Sequence, residues 1–130
     1  MQNCIFCKII KGEIPCTKVY EDVDFLSFVD IQPLSLGHTL IIPKKHITWM
    51  QEADDATISD IFKLSKKLML AIKSVLGCDY VQLSVIGKDI EHFHIHLIPR
   101  KMEDNLHDFS IKKYKEGEKE EVAKKIILAL

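Results

Sequence analysis

Apolar and polar positions change period along the chain, and each change marks an element. Ile58, Ile61, Phe62, Leu64, Leu68, Met69, Ile72, Val75 and Leu76 recur at helical spacing, with Lys63, Lys66, Lys67 and Lys73 on other positions. Asp54 or Asp55 supplies an N-cap and Gly77 a stop, so one long helix is predicted, with an aliphatic stripe suited to covering a sheet. Shorter runs bounded by turn residues predict strands over 18–21, 25–30, 38–43 and 80–86. The apolar patch at Ile5, Phe6, Ile9 and Ile10 predicts a short helix ended by Gly12-Glu13-Ile14-Pro15. After Gly117, residues Val122, Ala123, Ile126, Ile127 and Leu130 predict a last amphipathic helix. The stretch from Arg100 to Tyr114 reads as polar and irregular, with His107 at the surface.

The sharpest pattern is His92-Phe93-His94-Ile95-His96-Leu97-Ile98-Pro99. Read as a strand, it sets the three histidines on one face, with neighbours roughly 6.5–7 Å apart, and the apolar residues on the other. Gly87-Lys88-Asp89 reads as a tight turn that joins it to the preceding strand as a hairpin. The sum is about five strands in hairpins, one long helix and shorter terminal helices: an α+β fold with a mainly antiparallel sheet.

Composition narrows the partners. With 130 residues and 47% hydrophobic content, a single domain over 1–130 with a proper core is expected. Eighteen basic residues face 19 acidic ones, so no broad basic surface is implied and nucleic acid is not an expected partner. A small anionic ligand fits better. The start lacks a secretory leader pattern and no run reaches transmembrane length, so a cytoplasmic protein without membrane contact is expected. Four cysteines then read as thiols or ligands rather than disulfides, Cys16 and Cys78 as inert thiols.

The histidines suit metal ligation, nucleophilic attack or acid–base work, and the strand does not choose among them. One ion binding all three is disfavoured: the outer two are about 13 Å apart along an extended strand, whereas Zn–N bonds are about 2.0–2.1 Å. Cys4 and Cys7 read equally well as a metal-binding pair or as two buried thiols.

Four segments in order resemble the histidine-triad (HIT) nucleotide-binding family. His92 to Ile98 match its His-φ-His-φ-His-φ-φ signature, where φ is apolar. Cys4 to Pro15 resembles the family's opening, Asp30-Ile31 with Pro33 its ribose-contacting turn, and Gly37 to His46 its following strand. His96 stands where the sugar-phosphate nucleotidyl transferases typically carry glutamine, so the resemblance is to the nucleoside-phosphoramidate and dinucleotide hydrolases. It implies a HIT-like fold and a covalent nucleotidyl-histidine on His94, with water then releasing a nucleoside monophosphate. His96 is implied to contact the phosphate or tune His94. Ile5, Phe6, Ile9, Phe28 and Ile31 match the apolar purine slot, and Asp30 matches the carboxylate on the ribose hydroxyls. Cys4, Cys7, His46 and His92 match a structural zinc set, and a homodimer is implied. His38 either lines the phosphate site or packs in its strand.

The chain departs from the family before the triad. Only Gly87-Lys88-Asp89-Ile90-Glu91 separates strand from His92, without the family's usual serine and glutamine. Lys88 either replaces a phosphate donor as a point charge or faces solvent. The leaving group is thereby left open, and so is an alternative function as a non-catalytic nucleotide-binding or protein-interaction module.

Overall fold

In the computed structural model, which describes residues 3–130, five strands form one antiparallel sheet. They are β1 (Lys18–Glu21), β2 (Phe25–Val29), β3 (Thr39–Pro43), β4 (Tyr80–Val85) and β5 (Ile95–Arg100), in spatial order β1-β2-β3-β5-β4. The helices are α1 (Ile5–Ile10), α2 (Asp55–Leu76) and α3 (Glu118–Ala129), with a 3-10 turn at Met50–Glu52. No helix among the described residues is long and apolar enough to cross a membrane.

Helix α2 begins and ends where its chemistry dictates. The Asp54 carboxylate accepts the Thr57 amide, and Gly77 closes the helix in the left-handed conformation. The α2 stripe and α3 cover one sheet face. Ile61, Leu68 and Ile72 pack there with Ile41, Ile95, Leu97 and Ile126, all fully buried. Among the described residues α1 is the helix on the other face, where Phe6 packs with Leu26, Phe28, Leu40 and Ile42. Beyond α1 that face is partly open, with Ile90, Phe109 and Ile111 around the opening.

Three expectations need correction. The triad is not all strand: β5 starts at Ile95, so His92 and His94 precede it. The Phe93 amide donates to the Ile47 carbonyl at 2.6 Å, which draws this segment toward the loop after β3 and away from ladder pairing with β4. Side-chain alternation survives, with Phe93 in the helix-side core. The expected tight turn is instead a link over residues 86–94. In α3, Val122, Ala123 and Ile126 are buried, whereas Ile127 and Leu130 are largely exposed.

Candidate active site

Two side-chain clusters sit on the open face of the sheet. In the first, Cys4 and Cys7 from the start of α1 meet His46 and His92. Their donor atoms lie within 4.8 Å of one another. Cys4 Sγ is 3.3 Å from His92 Nδ1, Cys7 Sγ is 3.2 Å from His46 Nδ1, and Cys7 Sγ is 3.6 Å from His92 Nδ1. Bonds of tetrahedral zinc to sulfur and nitrogen imply S···N edges of about 3.6 Å, so the set fits that ion with little adjustment. The proton placement agrees. His92 Nε2 lies 2.8 Å from the Pro43 carbonyl, which only accepts, so Nε2 carries the proton and Nδ1 keeps its lone pair toward the thiols. Burial, with Cys4 beside it, pushes the Cys7 thiol up; a bound cation reverses that preference.

The second cluster lines a cavity of about 540 Å³. His96 enters it from β5 and His94 from the residue before that strand, His38 from the residue before β3, and Asp30 from the residue after β2. The His94 and His96 ring centroids are 4.8 Å apart, closer than strand rise alone predicts, because the rings lean together. The Phe6 ring stands edge-on to His94 at 5.1 Å and to Phe28 at 5.7 Å.

Hydrogen bonds from groups of fixed polarity settle each tautomer. The Leu34 amide donates to His38 Nδ1 at 3.0 Å, so His38 carries its proton on Nε2. That N–H donates to His96 Nδ1 at 2.9 Å, which leaves the His96 proton on Nε2. His94 Nδ1–H donates to the His92 carbonyl at 2.7 Å, so the His94 Nε2 lone pair is free. All three rings are neutral near pH 7. Burial, then the neighbouring histidines, hold His38 down to about 3. Burial, then the neighbouring His94, hold His96 at about 4. Burial lowers His94, opposed by its hydrogen bond to the His92 carbonyl and by Asp30 and Asp89. Burial pushes the Asp30 carboxyl up, while the Gln32 amide and His94 pull it down.

Asp30, His38 and His96 also lie within 4.8 Å of one another, yet His38 has no lone pair to give a metal. Its Nδ1 is taken by the Leu34 amide and its Nε2 bears the proton. The cluster is a hydrogen-bonded chain running from backbone to His96.

The expected residues mostly converge. Ile5, Phe6, Ile9, Phe28, Asp30, Ile31, His38, His94 and His96 all line the cavity, Ile31 while 72% exposed. Lys88 does not line it; its side chain is in the solvent-exposed link and Asp89 faces the cavity instead. Asp89, with Lys88, falls where the family's phosphate-holding residues stand; sequence reasoning missed Ile98, Phe109 and Ile111 in the lining. The available signal was the closely spaced pair Phe109 and Ile111 inside a largely polar stretch. It also missed Trp49, whose indole N–H reaches the Gly87 carbonyl at 3.4 Å and props the link that carries Asp89.

Comparison with known proteins addresses family and fold. The family model for the HIT domain matches residues 11–103. The chain is 42% identical over 106 residues to an adenosine 5'-monophosphoramidase of Schizosaccharomyces pombe, covering 78% of this chain and 77% of that one. It is 43% identical over 112 residues to an adenylylsulfatase of Arabidopsis thaliana, covering 82% of this chain and 57% of that one. A crystal structure of a Hit-like protein of Bartonella henselae superposes with a TM-score of 0.90 at 36% identity, covering 100% of this chain and 98% of that one. A zinc-bound histidine triad family protein of Mycobacterium smegmatis gives a TM-score of 0.86 at 28% identity, over 98% and 93% of the two chains.

Proposed function

This chain belongs to the HIT domain family, and on that premise we propose that it hydrolyses a purine nucleoside phosphoramidate or dinucleotide at the α-phosphate through His94. One observation carries the reading. His94 is neutral with its proton fixed on Nδ1 by the His92 carbonyl, so the Nε2 lone pair stands free beside the apolar slot.

The base occupies the slot of Ile5, Phe6, Ile9, Phe28 and Ile31, and Asp30 accepts from the ribose hydroxyls. Nε2 of His94 then forms a bond to the α-phosphorus. The bond from phosphorus to the leaving group breaks, its electron pair departs with the leaving atom, and that atom takes a proton from solvent. Nε2–H of His96 donates to a non-bridging phosphate oxygen as a neutral group, because Nδ1 already accepts from His38. In the second step water attacks phosphorus, the N–P bond to His94 breaks, and the proton returns to solvent. Splitting one displacement into two lowers each barrier.

We further propose that Cys4, Cys7, His46 and His92 hold a structural zinc. The ion supplies cross-linking, tying α1 to the loop after β3 and to the segment entering β5. Its support is the donor geometry and the zinc-bound relative of Mycobacterium smegmatis. The Asp30 carboxylate, whose ribose role rests on the family resemblance, lies on the cavity side of β2 with Oδ1 engaged by the Gln32 amide at 2.9 Å.

The test is mass spectrometry of products from an adenosine phosphoramidate, with wild type beside His94→Ala. AMP formed only by the wild type is the expected result. AMP formed equally by both contradicts the role of His94. AMP bound but never produced favours a binding module instead.

A further inference from the structure

Water that attacks a nucleotidyl group on His94 has to lose a proton, and a base beside it lowers that barrier. Among the described residues that line the cavity, the titratable side chains are Cys16, Asp30, His38, Asp89, His94 and His96. Each can serve as the base only if it has a lone pair to offer at neutral pH.

The hydrogen bonds exclude these groups one after another. His38 accepts the Leu34 amide on Nδ1 and bears its proton on Nε2. His96 accepts from His38 on Nδ1, which leaves its own proton on Nε2. His94 in the intermediate carries the nucleotide on Nε2 and keeps its Nδ1 proton on the His92 carbonyl. Burial pushes the Cys16 thiol up, so it holds its proton at pH 7. Asp30 has Oδ1 on the Gln32 amide at 2.9 Å and Oδ2 at 3.5 Å from His38 Nε2. What capacity it keeps goes to the ribose hydroxyls.

Asp89 remains. It sits on the link over residues 86–94, between two anchors. The Trp49 indole donates to the Gly87 carbonyl at 3.4 Å, and the Phe93 amide to the Ile47 carbonyl at 2.6 Å. Ile86 and Ile90, before and after Asp89, line the cavity with it. The Asp89 charge is felt at His94, where it joins the His92 carbonyl and Asp30 in opposing the lowering by burial. Asp89 is also exposed, so a proton taken there has a direct way out to bulk water.

We propose that Asp89 is the base of the hydrolytic half of the reaction. The inference rests on His94 being the nucleophile and adds the residue that discharges it. An O–H bond of the attacking water breaks, its proton goes to an Asp89 carboxylate oxygen, and the water oxygen forms the bond to phosphorus. The P–N bond breaks and its electron pair returns to His94 Nε2, which restores the neutral ring with its proton on Nδ1. Asp89 then gives the proton to solvent. The first half needs no such base, because the His94 lone pair is already free.

Resolving the two halves tests this. Full-length wild type, Asp89→Asn and Asp89→Gly are mixed rapidly with adenosine 5'-phosphoramidate, quenched, and assayed for ammonia, for adenylyl-protein and for AMP. In Asp89→Asn the first turnover of ammonia is expected to stay close to the wild-type rate, while AMP forms about a hundredfold more slowly. Adenylyl-His94 then accumulates, which a merely structural defect would not produce. Added formate, a small carboxylate that fits the space left in Asp89→Gly, is expected to speed AMP formation in that variant and to leave the wild type unchanged. An unchanged rate of AMP formation in Asp89→Asn, both halves slowed equally, or no response of Asp89→Gly to formate overturns the role of Asp89 and leaves His94 standing. AMP formed by the wild type with no adenylyl group on His94 at any time overturns the His94 reading and the inference with it.

Discussion

Nε2 of His38 lies 2.9 Å from Nδ1 of His96, and the proton between them belongs to His38 because the Leu34 amide occupies its other nitrogen. A backbone N–H thus decides, two rings away, which nitrogen of His96 faces the cavity with a proton. Both rings stay neutral in the fold, at about 3 for His38 and about 4 for His96.

Acid should therefore cost stability in a defined window. In the unfolded chain a histidine titrates near 6.5, so the unfolded state binds these protons first. Stability is full above about pH 6.5 and falls as pH drops toward the folded values. Denaturant melts at pH 7 and pH 5 measure this. The wild type is expected to lose about 2 kcal/mol more than His38→Asn over that interval, one group's linkage at about 1.4 kcal/mol per pH unit. Equal losses contradict the buried neutral assignment.

Metal analysis addresses the Cys4, Cys7, His46 and His92 cluster. About one zinc per chain is expected after purification without added metal, and far less in Cys7→Ser. Zinc at about a hundred times its dissociation constant adds about 2.7 kcal/mol of stability, so chelator should lower the melting temperature of the wild type and leave Cys7→Ser unmoved. A metal-free wild type that ignores chelator removes the zinc proposal.

The link before the triad is braced by the chain's one tryptophan. A Cβ added at Gly87 would stand 2.9 Å from Trp49 Cδ1, so Gly87→Ala must displace the indole or the link. A red-shifted Trp49 emission and a several-fold lower kcat are expected, since the link carries Asp89 to the cavity. Unchanged emission contradicts the bracing role.

Core substitutions test the helix assignments. Ile72 is fully buried between α2 and the sheet, whereas Ile127 on α3 is 48% exposed. Ile72→Ala should cost about 2–5 kcal/mol and Ile127→Ala under about 0.5 kcal/mol, read from denaturant midpoints.

Those two positions also mark how far the sequence could be read. Helix α2 was legible because its cap, its stripe and its glycine stop are local signals that agree. The same periodicity predicts Ile127 in the buried stripe, but α3 buries only Val122, Ala123 and Ile126 and so meets the rest of the fold along a narrower line. The triad's alternation was legible; the start of β5 at Ile95 was not, because Phe93 is held by Ile47, far away in sequence. The same holds at the site. Cys4, Cys7, His46 and His92 carry a recognisable pattern and do converge. Phe109 lies on a segment tied to the turn before β3 by Lys112 to Pro33 and by Tyr114 to Gly37, contacts no local pattern announces.

The most direct test of the account is whether a nucleotide becomes attached to His94. Wild type mixed rapidly with an adenosine phosphoramidate, quenched under conditions that preserve phosphorus–nitrogen bonds, and digested for peptide mass spectrometry should show an adenylyl group on His94. His94→Ala should show none. An adduct on His96 or His38, or product formed by the wild type with no adduct at any reaction time, would contradict His94 as the nucleophile.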